Sequence, residues 1–239
     1  SLVELWKCKS DVVYFTPSQT CGGNLCDLVF LKIINWRNKK CIVHIHGGYY
    51  RQLIDHDVPS WQRKMNYQAV RRLAGGIVLG HSLHSIFEGM LPDDRIFVCP
   101  NCVDDAFIAP SVDEKINKIK DGGALHILYL SNFIESKGYR EVLELAKLAA
   151  DRGDSDKFVF HFAGKFFDPA EQTYFEEHSK GLSNVVYHGI VGGQDKVDLL
   201  NQCHLFSLLS RYPNEGQPIS ILEAMGNGMA IITTDHAGI

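Results

Sequence analysis

Residues 210–230 read Ser-Arg-Tyr-Pro-Asn-Glu-Gly-Gln-Pro-Ile-Ser-Ile-Leu-Glu-Ala-Met-Gly-Asn-Gly-Met-Ala. A polar loop leads into Pro218, whose fixed φ and missing N–H suit the first turn of a helix, and Gly226 or Gly228 can end that helix. The pattern predicts a helix over 218–226 between strands over 205–209 and 230–234. Strand, loop, helix, strand is the repeating unit of a parallel α/β layer. The amides of Gln217, Ile219 and Ser220, at the positive end of the helix, form an anion site suited to a diphosphate. Glu215 lies in the loop ahead of them and Glu223 about a turn and a half into the helix, so the two carboxylates can face different parts of one extended ligand. Taken singly, each glutamate would read as a solvated surface residue.

The same rhythm extends in both directions. Upstream in the second half, strands are predicted over 126–130, 158–163 and 185–188, with helices over 139–151, 170–180 and 195–202. In the first half, short β-branched runs at 11–15, 41–46, 76–79 and 96–99 alternate with helix-compatible stretches such as 61–73. Residues 109–123 turn polar, with Pro110 and Asp121-Gly122-Gly123, and read as a linker. The expected organisation is a partial domain over 1–108, this linker, and a second domain over 124–239. Ligands of open parallel sheets sit outside the carboxyl ends of the strands, so the loops 131–138, 164–169, 189–194 and 210–217 are expected to line one rim.

The run from Glu215 to Gly228, with Glu, Gly, Pro, Glu, Ala and the later Gly in register before an apolar strand, resembles the E-x7-E signature of retaining glycosyltransferase family 4. That resemblance covers nearly the whole chain and is tightest from His126 to Gly238. It implies the GT-B fold, an α/β architecture of two Rossmann-like domains with parallel sheets facing across a cleft, here truncated at both ends with the N-terminal domain incomplete. By carry-over, Glu215 contacts the donor sugar and Glu223 the nucleotide ribose, while Gly216, Gln217, Pro218, Ile219 and Ser220 contribute to donor binding.

Residues 131–138, Ser-Asn-Phe-Ile-Glu-Ser-Lys-Gly, look like the family's phosphate-binding loop. Lys137 would offset the charge of a leaving diphosphate without any proton transfer. Asn132 stands where the family often has arginine, and can donate a hydrogen bond but no charge. At the end of the 41–46 strand, His44 and His46 fall on one face. No further Asp, Glu or Cys stands at a ligand-like offset, so a metal site is not expected. In the family, the histidine matching His46 faces the donor sugar, and the bottom-up alternative is a core histidine satisfied by backbone. Gly47 and Gly48 would let a ligand approach the backbone. Cys99-Pro-Asn-Cys102 has the C-x-x-C form, but lacks a following helix or a second pair and reads as chance spacing. It overlaps a run resembling the family's Pro-Asn-Gly-Val-Asp turn, with Cys102 in the glycine position. Gly75, Gly76 and Gly80 flank a strand instead of following one into a helix, which excludes a dinucleotide fingerprint.

Composition narrows the classes further. Twenty-four basic against 28 acidic side chains give a net charge of -4, without the basic excess a nucleic-acid backbone requires. No apolar run reaches the roughly 18 residues of a membrane span, and Ser1-Leu2-Val3-Glu4 lacks the features of a signal peptide. Cytoplasm is the expected compartment, and the 7 cysteines are expected to be reduced. Without an initiator Met and stopping just past a strand, the chain is expected to be a piece of a longer protein. The resemblance implies a retaining, metal-independent hexosyltransferase with no cofactor. Its partners would be a nucleotide-sugar donor and a glycan or lipid-linked acceptor, with polysaccharide assembly and peripheral attachment at the inner membrane face among the family's settings. Two rivals stand beside it: a non-catalytic nucleotide-sugar-binding fragment and a GT-B epimerase.

Overall fold

The computed structural model describes residues 7, 9–109, 111, 113–120 and 122–239; Ser1-Leu2-Val3-Glu4, Pro110 and Asp121 lie outside the described residues. The chain forms two compact units. Of the described residues, one unit comprises those up to Asn101 together with Pro213–Gln217 and Ala237–Ile239; the other comprises those within Cys102–Tyr212 and Pro218–His236.

In the first unit, strands β1 (Val12–Phe15), β2 (Lys40–His44), β3 (Gly75–Val78) and β4 (Ile96–Val98) pair in sequence order, all parallel. Helix α1 (Cys21–Trp36) crosses from β1 to β2 and opens on Thr20, whose hydroxyl accepts from the Gly23 amide. Helix α2 (Ser60–Val70) precedes β3 and stops three residues short of the predicted end. Leu31 and Ile34 of α1 join Val43, Ile45, Val78 and Phe87 in one core. A buried amide cluster ties the two helices: Asn24 Nδ2 donates to Asn66 Oδ1 at 2.9 Å, while Gln62 Nε2 and Asn66 Nδ2 both donate to Asn24 Oδ1. Buried amides are stable only when bonded in this way.

The first α-helix of the second unit is α3 (Asp113–Lys120), inside the stretch expected as a linker. Its Lys115 is buried and donates to the carbonyls of Leu200 and Asn227, which orders what composition alone reads as polar spacer. Strands β5 (Leu125–Leu130), β6 (Phe158–Ala163), β7 (Val185–Tyr187), β8 (Leu205–Leu208) and β9 (Ala230–Thr233) form a parallel sheet in the order β7-β6-β5-β8-β9. Helices α4 (Tyr139–Asp151), α5 (Pro169–Ser179), α6 (Gly193–Gln202) and α7 (Ile219–Gly226) make the crossovers. On α4, Val142, Leu143, Ala146 and Ala149 form the buried stripe, and nearby Phe175 packs edge to face against Phe133 and Phe162.

A row of imidazoles crosses this sheet. His126 Nδ1 meets His161 Nε2 at 2.8 Å, and His161 Nδ1 meets His188 Nε2 at 2.8 Å. One proton per bond satisfies the row with all three rings neutral. His161 is only 2% exposed, and burial, reinforced by the neighbouring histidines, pushes its pKa down to about 4. An unfolded histidine takes up its proton near pH 6.5, so between that pH and about 4 the unfolded chain binds more protons and stability falls as pH drops. The loss across this window is on the order of 3 kcal/mol. Urea denaturation at a series of pH values should show it, and a midpoint unchanged between neutral pH and pH 5 would refute the assignment.

Candidate functional site

The sheet order of the second unit places a topological switch point between β5 and β8, because the chain leaves β5 toward β6 and leaves β8 toward β9. Loops diverge there and open a crevice at the carboxyl ends of the strands. Asn132 and Lys137 lie on the loop after β5. Gly138 takes a left-handed φ of 80°, and a Cβ there would stand 2.6 Å from the Leu209 carbonyl, so the loop closes against the end of β8. The Arg211 amide donates to Ser136 O at 2.6 Å, and Lys137 Nζ lies 5.0 Å from the centre of the Tyr212 ring. Beyond β9, Thr234 Oγ1 donates to Ser210 O, and His236 Nε2 meets Tyr212 O at 2.9 Å, which fixes the β8 side of the crevice. The predicted lysine loop and residues 210–212 thus form one structure held from three strands.

Helix α7 begins at Ile219, one residue later than predicted. Pro218 has φ −63° and ψ 118°, an extended N-cap conformation instead of the first helical position. The Ile219 and Ser220 amides belong to the first turn, where no intrahelical acceptor exists, and Ile219 is exposed. Glu223 is 4% exposed, so it is not the solvated residue that glutamate usually is. Lys196 Nζ of α6 lies 2.6 Å from each of its carboxylate oxygens, donating to Oε1, while Oε2 has no well-directed hydrogen bond. Removing one partner of a buried pair strands the other charge. Lys196→Met is expected to cost about 2 kcal/mol, below the usual range for buried pairs because the lysine side chain keeps 21% of its surface in water. Chemical denaturation would measure this, and a neutral substitution would show that Glu223 does not depend on the pair.

In the first unit, residues 213–217 are fastened to the segment after β2. The Gly48 amide donates to Glu215 O at 2.7 Å, and a Cβ on Gly216 would lie 2.1 Å from His46 O. Only glycine permits that approach. Gln217 Oε1 accepts from the Asn101 amide at 2.7 Å, and Asn101 Nδ2 donates to the Gln217 carbonyl. Glu215 is 6% exposed and so is not a solvated loop residue either. His46 is exposed just past the strand, and its ring lies 4.0 Å from that of His44, on the same side as the alternation predicts. His44 is buried and bonds Tyr14 Oη at 2.6 Å; burial, then the proximity of His46, lowers its pKa. One expectation is corrected. The close approach that Gly47 and Gly48 allow is taken by the chain itself, with Asn214 O and Glu215 O where Cβ atoms would fall.

Lys196 and Tyr212 went unrecognised in the sequence. Tyr212 sits within the decisive stretch, but its role depends on Lys137 arriving from β5; Lys196 stands 27 residues from Glu223, with no local pattern joining them. Among the described residues, no cluster of three or more His, Cys, Asp or Glu could hold a metal ion, and Cys99 and Cys102 are free thiols. Cys102 does not take the left-handed turn conformation.

The family model described as "Glycosyl transferases group 1" matches residues 111–239. No curated protein matches the chain. Among solved structures, HepE of Anabaena, in complex with UDP and glucose, superimposes with a TM-score of 0.71 at 14% identity over 99% of this chain and 62% of its own. TarM aligns with a TM-score of 0.68 at 18% identity over 97% of this chain and 44% of its own. A glycosyltransferase from Rickettsia africae gives a TM-score of 0.68 at 19% identity over 98% of this chain and 60% of its own. The fold is the one these GT-B proteins share, and the chain spans less than two thirds of their length.

Proposed function

The chain belongs to the glycosyl transferases group 1 family, and from that membership we propose that it transfers a sugar from a nucleoside diphosphate sugar to a hydroxyl acceptor. The proposal includes retention of the anomeric configuration, no requirement for metal or cofactor, and a cytoplasmic role in assembling a polysaccharide or lipid-linked glycan. The observation that carries it is the crevice between β5 and β8, where the Lys137 loop is locked to residues 210–212 and α7 begins at the far end of the β8 loop. Lys137 and the amides of Ile219 and Ser220 take up the charge that develops on the departing diphosphate as the bond to the anomeric carbon breaks. Glu223, held by Lys196, bonds the ribose; Asn132 donates to a phosphate; Glu215 and His46 orient the sugar. The UDP and glucose bound by HepE support the donor class.

Calorimetry with a panel of nucleotide sugars, run beside NMR analysis of the product, tests this reading. A bound donor that yields an α-linked product from an α-linked donor supports it. An inverted or epimerised product removes it, as does failure to bind any donor. The shared length, 62% of HepE and 44% of TarM, favours one second reading: a piece that binds the donor without turning it over. Binding without product would establish that instead.

A further inference from the structure

Lys115, on α3, is a buried cation that the sugar-transfer scheme above does not use. Lysine is almost never buried unless paired, and here the pairing is with neutral acceptors. An ammonium has three protons, and three acceptors meet them: Leu200 O at 2.8 Å, Asn227 O at 3.0 Å and Asn227 Oδ1. Leu200 lies in the last turn of α6 and Asn227 caps the carboxyl end of α7, so one charge stands at the negative ends of two helix dipoles. Asn227 carries the network further. Its Nδ2 donates to Asn201 Oδ1 of α6 at 2.9 Å and to Phe107 O at 3.4 Å, and its amide donates to Glu223 O at 2.9 Å. The Phe107 ring lies 4.9 Å from Lys196 Nζ, the ammonium paired with Glu223. Lys115 is therefore linked to both members of that pair, along α7 to Glu223 and through Phe107 to Lys196. The pair joins two helices, and its 2.6 Å geometry depends on how α6 and α7 are set against each other.

We propose that Lys115 is a positioning residue for nucleotide recognition: by clamping the carboxyl ends of α6 and α7 through Leu200 and Asn227, it sets the Lys196–Glu223 pair in the arrangement that binds the ribose. The proposal rests on the assignment of Glu223 to the ribose. Only the ammonium serves all three acceptors, because a neutral amine has two protons. Burial lowers the Lys115 pKa to about 8. Among the described residues, the one titratable group that bears on it is the Cys203 thiol just past α6, which burial raises to about 12 and which stays neutral while Lys115 titrates. Above about pH 8 the clamp therefore loses one of its bonds.

Calorimetric titration of the full chain with UDP, GDP and ADP tests it, using the nucleotide that the parent binds tightest and melting curves to identify variants that fold. At pH 7, Lys115→Met should weaken binding about tenfold, the worth of one hydrogen bond to a charged group. The ratio between parent and variant should shrink several-fold from pH 7 to pH 9, as the parent's own ammonium is lost. In a Glu223→Gln background Lys115→Met should have no further effect, since it acts through that carboxylate. Asn227→Ala supplies a second variant: it leaves Leu200 O and the backbone carbonyl of residue 227, which a neutral amine can satisfy, so its binding should be weaker at pH 7 and level to pH 9. A folded Lys115→Met that binds like the parent, a ratio constant with pH, or an equal loss with and without the Glu223 carboxylate overturns the proposal while leaving the ribose assignment in place. If Lys115→Met does not fold, an Asn227→Ala protein whose binding falls with pH as the parent's does overturns it. A parent that binds none of the three nucleotides removes the ribose assignment and this proposal with it.

Discussion

Replacing Lys137 by alanine is expected to lower kcat for sugar transfer about 10²- to 10³-fold, with a much smaller change in donor KM. The effect is electrostatic. In the ground state the diphosphate carries its charge while still bonded to the sugar, and as that bond lengthens an additional negative charge collects on the departing oxygen. A fixed cation that strengthens its hold as this charge grows acts on the transition state more than on the bound donor. Deleting one such group typically costs about 3–4 kcal/mol of activation energy. Stability should change little, because the ammonium of Lys137 over the Tyr212 ring, at 5.0 Å, contributes about 0.5–1 kcal/mol at such a site. Lys137→Arg keeps the charge and should recover part of the rate. Initial rates at saturating donor separate the cases: a kcat within threefold of the parent would remove Lys137 from the diphosphate, and a matched rise in KM would assign it to uniform binding.

Much of this was legible in the sequence because the decisive features are local. The predicted helix over 139–151 and strand over 158–163 match α4 and β6, and the apolar runs of the first half fall on β1 to β4 within two residues at either end. Periodicity and turn residues are written into consecutive positions, so a single chain displays them. What stayed hidden depends on pairing. Nothing in the order of the runs says that β8 lies against β5 instead of extending the sheet beyond β7, yet that pairing makes the crevice. Likewise, Glu215 groups with the segment after β2 because Gly216 fits against the His46 carbonyl and the Gly48 amide donates to Glu215 O. The helix in the supposed linker was missed for a related reason, since a polar helix is stabilised there by Lys115 reaching carbonyls on distant elements.

Gly164→Ala should be the most damaging single methyl in the second unit, lowering stability by about 3–5 kcal/mol and the melting temperature by about 10 °C. Gly164 follows β6 with φ 151°, a region that side chains avoid, and its Cβ would stand 1.8 Å from Ser131 O. That carbonyl cannot step aside cheaply. Ser131 N is bonded to Ala163 O at 3.1 Å, Gly164 N to Gly189 O at 2.8 Å, and Phe133 N to Lys165 O at 3.0 Å, so three strand ends are tied at this point. Gly153 provides the control, being left-handed with φ 76° but with no atom within 4 Å of its Cβ. Gly153→Ala should therefore cost only about 1–2 kcal/mol, the backbone part alone. The difference between the two variants combines the steric clash with the more restricted backbone region that Gly164 occupies. Because Ser131 begins the loop that carries Asn132 and Lys137, the same methyl should also weaken donor binding in the fraction that remains folded. Thermal melts of both variants, with calorimetric donor titrations below the transition, measure the two effects together. A Gly164→Ala protein that melts with Gly153→Ala would mean that the β5 and β6 loops are not held to each other as the geometry requires.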